Sequence, residues 1–224
     1  MAADITGPTT RYDWVDGRLQ AEIALGNLLP GSRVKVNDLA VEWEISPTPL
    51  REAVQRLAAR GVLTMAPQRG ARVAPVSLKE ARDLYDLRIQ LEPQALRRSM
   101  EHADDSYVQQ VQDAHRSLAA LRKRRRSDPA RAPEVYGLHR AFHAATLSRC
   151  PSTWLLHLVG VLMDQSMRYV RYTVDHPGSR LDEHAVLLEQ IVAGDVEVSV
   201  ETLRRHLIDS AAHLEAALGT HGLT

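Results

Sequence analysis

The stretch at residues 37–72, NDLAVEWEISPTPLREAVQRLAARGVLTMAPQRGAR, limits what this chain can fold into more than any other part of it. Asn37 is a good helix N-cap, and Leu39, Ala40 and Trp43 follow at helical spacing. Ile45-Ser46 breaks that pattern. Ser46 is placed to cap a second helix, with Pro47 at its first position, where a missing N–H costs nothing. Leu50, Ala53, Val54 and Leu57 then make an apolar stripe at i, i+3, i+4 and i+7, and Gly61 ends the helix as a C′ glycine does. Thr48, Arg51, Glu52, Gln55 and Arg56 fall on the opposite face. Two strand-like runs follow, at residues 62–65 and 71–74, with Pro67-Gln68-Arg69-Gly70 as the turn between them. The pattern is a helix-turn-helix with a small β-wing, and two amphipathic helices with a hairpin in an ordinary globule would also satisfy it.

The chemistry of that stretch suits DNA. A helix-turn-helix reads base edges with the first turns of its second helix, where Arg and Gln make bidentate contacts. Thr48, Arg51, Gln55 and Arg56 are the candidate readers. Arg69 and Gly70 sit at the wing tip, placed for a minor groove or a phosphate, and Arg33, Lys35 and Arg72 add charge beside them. The whole chain of 224 residues has no formal net charge. Within residues 31–76 there are seven basic residues against four acidic, so charge is mildly segregated to this part.

Residues 1–10 carry no periodic signal and read as a flexible tail. A first helix at residues 12–28, with Val15, Leu19 and Ile23 inward, completes a winged helix-turn-helix domain at residues 11–76. From residue 77 onward only amphipathic helices are found. Ser77 with Glu80 reads as a capping box for a helix over 78–101, with Leu84, Leu87, Leu91, Ala95 and Leu96 inward and Pro93 interrupting. Further helices are expected at 104–125, 134–149, 151–174, 181–193 and 196–218, the last two forming a hairpin about Gly194-Asp195. The fold class is mainly α, an N-terminal winged domain plus a C-terminal all-α bundle at residues 77–219. The basic run at residues 122–126 reads as a solvated helix end. One cysteine, Cys150, excludes an intrachain disulfide and a cysteine metal cage. No apolar run is long enough for a membrane span and no signal-peptide core opens the chain, so a cytoplasmic protein without a membrane partner is expected.

Ten histidines is a high count, and four of them fall where a metal could use them. His139 and His143 are one helical turn apart on one face. His184 lies ten residues before Gly194 and His206 twelve after, so antiparallel helices bring them to one level. Imidazoles converging from several helices suit a divalent ion, zinc first, with nickel or manganese as the other candidates. A satisfied core histidine at each position is the competing reading.

Leu28-Leu29-Pro30-Gly31-Ser32, Asp38-Leu39-Ala40, the run from Ser46 to Leu57, Gly61-Val62-Leu63 and Arg69-Gly70-Ala71-Arg72-Val73 together resemble the GntR family of bacterial transcription regulators. In that family an Arg usually follows the capping Ser and touches a base. Pro47 stands there in this chain, which implies a different operator preference and a heavier role for Arg51. Leu87-Arg88-Ile89-Gln90-Leu91-Glu92, Phe142-His143, Glu183-His184, Ile191-Val192-Ala193-Gly194-Asp195 and Arg205-His206-Leu207 resemble the FCD effector domain of FadR-type members. Many such domains hold a divalent metal on three histidines and one Asp. His143, His184 and His206 match the histidines, and His139 occupies the Asp position.

The resemblance further implies a small carboxylate effector near the metal and a homodimer on palindromic double-stranded operator DNA. Arg88 matches the family's Arg on the first bundle helix and would take the carboxylate as a fork-like partner; a salt bridge to Glu92 at i+4 is the equal alternative. Arg140, and more weakly Arg168, are further effector candidates. The expected function is a regulator whose operator affinity follows that effector. Two rivals stand beside it: a direct metal sensor, and a metal-dependent hydrolase using Glu183, which would point away from His184.

Overall fold

The computed structural model describes residues 11–66, 70–125, 132–173 and 181–223. The tail at 1–10 and the wing turn with Arg69 lie outside them. Helix α1 (Arg11–Ala24) buries Val15, Leu19 and Ile23 completely, the stripe expected from the sequence. Helix α2 (Val36–Glu42) starts earlier than an Asn37 cap allows: Lys35 is the N-cap, and its carbonyl accepts from Leu39 N at 3.1 Å to close the first turn. Its end needs no glycine. Glu44 takes φ 54, Ile45 N donates to Ala40 O and Glu44 N to Val41 O, which is a Schellman stop with a non-glycine at C′. Helix α3 (Pro47–Ala59) follows from Ser46, whose backbone is extended and whose hydroxyl makes no capping bond. Its stripe of Leu50, Ala53, Val54 and Leu57 is buried, and Gly61 at φ 73 stops it as expected.

Strands β1 (Leu63–Ala66) and β2 (Gly70–Val73) pair antiparallel, Leu63 opposite Val73 and Ala66 opposite Gly70. The wing has a further edge that the sequence reading missed. Val34 N donates to Ala71 O and Val73 N to Ser32 O, both at 2.9 Å, so residues 32–34 flank β2.

The helices of the C-terminal domain are α4 (Leu78–Met100), α5 (Asp105–Arg125), α6 (Ala132–Thr146), α7 (Thr153–Ser166), the one-turn α8 (Val170–Thr173), α9 (Leu181–Ala193) and α10 (Val196–Thr220). Several expectations need correction. Ser77 Oγ caps α4 by accepting from Glu80 N at 3.1 Å, but the Glu80 carboxylate goes to Arg168 and Tyr169 instead of back to the cap. Pro93 lies within α4 and does not interrupt it. Leu87 is 47% exposed, because the buried face runs through Ala81, Leu84, Arg88, Glu92 and Ala95 and is polar in the middle. The single helix expected over 151–174 is broken by a 3-10 turn at Met167–Tyr169, where all three side chains are buried. Helix α6 ends at Thr146, three residues short of the expected end, in turns closed by Leu147 N on Ala144 O and Ser148 N on Ala145 O.

One apolar core joins α4, α5, α6, α7, α9 and α10. The winged domain has its own, and that core is completed from outside: fully buried Met167 belongs to it, and Tyr136 and Val170 pack against it. The two domains therefore meet on an apolar seam as well as through the linker. No described helix is long and apolar enough to cross a membrane.

Candidate metal centre and nucleic-acid interface

On α3, Thr48, Arg51 and Gln55 are exposed, on the face opposite the buried stripe. Arg56 departs from the expectation. Its Nε donates to Asp16 of α1 at 3.0 Å, which draws it toward the domain's own surface. Arg33, Lys35 and Arg72 are exposed along the wing edge, where Arg33 and Arg72 face each other in a β-bridge. Arg72 Nη1 also donates to Gly31 O at 3.0 Å. Gly70 opens β2 with φ 75, a conformation that L side chains strain to adopt. Six of the nine expected DNA contacts are thus exposed, at Arg33, Lys35, Thr48, Arg51, Gln55 and Arg72.

The four histidines come together. His139 and His143 project from α6, His184 from α9 and His206 from α10, and each offers one nitrogen, all within 4.8 Å of one another. The Nε2 atoms of His139, His143 and His184 form a triangle with edges of 3.1, 3.2 and 3.2 Å. Nitrogens on a tetrahedral zinc at ~2.0–2.1 Å would stand about 3.3 Å apart, so this triangle is near the required size. His206 stacks on His143 with ring centroids 5.4 Å apart. Glu183 Oε2 lies 2.6 Å from His206 Nδ1, so Nδ1–H donates to the carboxylate and Nε2 is left with its lone pair open to a ligand role. The Glu183 carboxylate thus reaches His206 on α10. That contact with His206 was missed, although the Glu183-His184 pair beside a helical hairpin was its signal.

The set fits a metal on two further grounds. Burial, helped by the charge of His184 and other neighbouring imidazoles, holds the His139 pKa well below 6.5, and burial with His139 does the same for His143. Both are therefore neutral at physiological pH, the state that ligates. His143 Nδ1 is buried with no hydrogen-bond partner among the described residues, so His143 has little reason to be polar there unless Nε2 is used.

The arginines expected to take an effector are already engaged. Arg88 Nε lies 2.5 Å from Glu92 Oε1, and Nη1 donates to Ser166 Oγ at 3.1 Å. Burial opposes the guanidinium's charge, yet Glu92 and nearby Tyr85 outweigh it and the Arg88 pKa is raised. Of the two alternatives the sequence left open, the salt bridge is the one formed. Arg140 makes a fork onto Asp164 Oδ1, at 3.1 Å from Nε and 2.6 Å from Nη2. Arg168 is fully buried on the Pro75 carbonyl, Glu80 and Gln165. Asp164 and Ser166 were not foreseen, and nothing local in the sequence marks them.

Residues 11–73 match the family described as "Bacterial regulatory proteins, gntR family", and residues 83–209 match the FCD domain. The chain belongs to the GntR family. This GntR regulator is 36% identical over 197 residues to the HTH-type transcriptional regulator BphR of Paraburkholderia xenovorans (strain LB400), covering 86% of the chain and 80% of the relative. It is 27% identical over 215 residues to the HTH-type transcriptional repressor GlaR of Escherichia coli (strain K12), covering 92% and 95%. Its fold is that of E. coli McbR/YncC, with a TM-score of 0.74 at 21% identity over 92% of this chain and 97% of that one. The GntR regulator is a DNA-binding transcription regulator and not an enzyme, which removes the hydrolase rival.

Proposed function

We propose that this GntR regulator holds a divalent transition-metal ion on His139, His143, His184 and His206, and that occupancy of this site sets its affinity for a palindromic operator bound as a homodimer. The observation that carries this reading is the buried convergence of four imidazoles, three of them within 3.2 Å of each other. An all-imidazole set favours zinc or nickel over manganese, which prefers oxygen ligands. The operator is read by Arg51 and Gln55 from α3, with Arg33, Lys35 and Arg72 on phosphates and Arg69 and Gly70 at the wing tip. The ion would supply a fixed charge that draws α6 toward α9 and α10.

A small carboxylate effector is the second reading. Four neutral imidazoles leave an ion's two positive charges in a buried site, with Glu183 on His206 as the nearby anion. An anionic ligand would complete the compensation. It would have to share Arg88 with Glu92, or Arg140 with Asp164, since both forks are already paired.

The test is operator binding by fluorescence anisotropy on chelator-treated protein, with zinc added back, alone and with a panel of small carboxylates. A change on zinc alone supports direct metal sensing. A change that appears only with an acid present supports the effector reading. Metal analysis that finds less than one equivalent bound would sink both.

A further inference from the structure

The end of α7 ties the two domains together through side chains that the sequence did not single out. Asp164 is 2% exposed and receives two arginines. Oδ1 accepts the Arg140 fork, and Oδ2 accepts from Arg60 Nη1 at 3.0 Å. Arg140 follows the candidate ligand His139 directly on α6. Arg60 is the C-cap of α3, the helix that presents Arg51 and Gln55 to DNA. The next residue reinforces the joint, because the Gln165 side-chain amide donates to the Arg60 carbonyl. A Cβ on Gly61 would come within 2.8 Å of that same amide, so the chains are in close contact there. Tyr136, one turn before Arg140 on α6, packs against the winged-domain core.

We propose that Asp164 is the coupling residue of this regulator, a buried carboxylate that fixes the recognition helix to the metal-bearing helix by holding Arg60 and Arg140 at once. Ligation acts on His139 and His143, and therefore on the position of α6. Arg140 carries that position to Asp164. A buried carboxylate cannot release a cation cheaply, so Arg60 and the end of α3 follow it. The metal then biases the angle at which the recognition helix is presented, and two half-sites in a palindrome are sensitive to that angle. This rests on the reading that metal occupancy alters operator binding.

The experiment measures operator affinity with zinc and after chelation for the full-length protein, Asp164→Asn and Arg60→Gln, with bound zinc and melting temperature recorded for each. Asn keeps the shape of Asp164 and removes its charge. Arg60 is partly exposed, so its substitution tests the same joint with little risk to folding. The natural protein is expected to show a ratio of zinc-loaded to zinc-free affinity in the range of about 5–150-fold in one direction, and both variants a ratio under about twofold. Zinc content stays at the natural level in both, and Arg60→Lys recovers part of the ratio. A ratio that survives in Arg60→Gln overturns the coupling role alone. A ratio of one in the natural protein overturns the metal-dependent regulation beneath it, and the coupling role with it.

Discussion

Arg51 stands exposed on the first half of α3, with no ion-pair partner among the described residues, unlike Arg56 on Asp16. Arg51→Ala is therefore expected to weaken operator binding by about 1–3 kcal/mol and random-sequence DNA by less, measured by anisotropy at fixed salt. Equal losses on both would make Arg51 a phosphate contact. At the proposed metal site, His139 would be the residue that decides metal preference, since it would add a fourth imidazole. His139→Asp exchanges a neutral nitrogen donor for a charged oxygen. Relative affinity for manganese over zinc should rise, read by competition between the two ions, while His184→Ala should lower bound metal well below one equivalent. Unchanged selectivity in His139→Asp would remove His139 from the ligand set. The histidines were legible in the sequence because i, i+4 spacing and near-equal distances from Gly194 are local geometry. Asp164 was not: its partner Arg60 is 104 residues away, and no periodicity encodes such a contact.

At the scale of elements, stripes and stops were readable wherever the code is short-range. The α3 stripe, the Gly61 stop and the Gly194 hairpin all follow from residues within one or two turns. The departures come from tertiary demands. Leu87 faces out since α4 turns its Arg88–Glu92 pair inward, and the long helix after Ser152 breaks at Met167–Tyr169, where Met167 enters the winged-domain core and Tyr169 packs against α4 and α10. Glu44 shows the same limit, for nothing about a glutamate announces a left-handed C′ position. Gly61 is the element whose cost is easiest to state. It needs φ 73, and a Cβ there would also meet Gln165 Nε2 at 2.8 Å. The left-handed conformation alone costs an L residue about 1–2 kcal/mol. Gly61→Ala should then lower the melting temperature by about 2–8 °C for a chain of this size, seen by circular dichroism. No fall in melting temperature would mean that the turn after α3 reshapes freely and is not held against α7.

For the whole molecule, the proposed metal site would link folding, protons and metal through the histidine cluster. His139 and His143 have folded pKa values depressed below the unfolded value of about 6.5, chiefly by burial, then by His184 and Arg122 for His139 and by His139 and His184 for His143. In the metal-free protein the unfolded chain thus binds more protons than the folded one once pH falls below about 6.5. The stability these groups allow is complete above that pH and is lost as pH drops toward the folded values, at up to about 1.4 kcal/mol per pH unit for each. Zinc on the proposed site would bind only the neutral imidazoles and would stabilise the folded state by mass action, about 2.7 kcal/mol at a hundredfold excess over Kd. The melting temperature of chelated protein should accordingly decline from pH 7 to pH 5, and zinc should raise it at pH 7.5 by more than at pH 5.5. Scanning calorimetry at those pH values, with and without zinc, measures both slopes. His143→Asn should flatten the decline of the chelated protein and shrink the zinc increment together, because one buried imidazole serves both effects. A zinc increment equal at both pH values would place the ion on groups other than these histidines, and a chelated protein indifferent to pH over that range would mean the cluster opens to water before it accepts a proton.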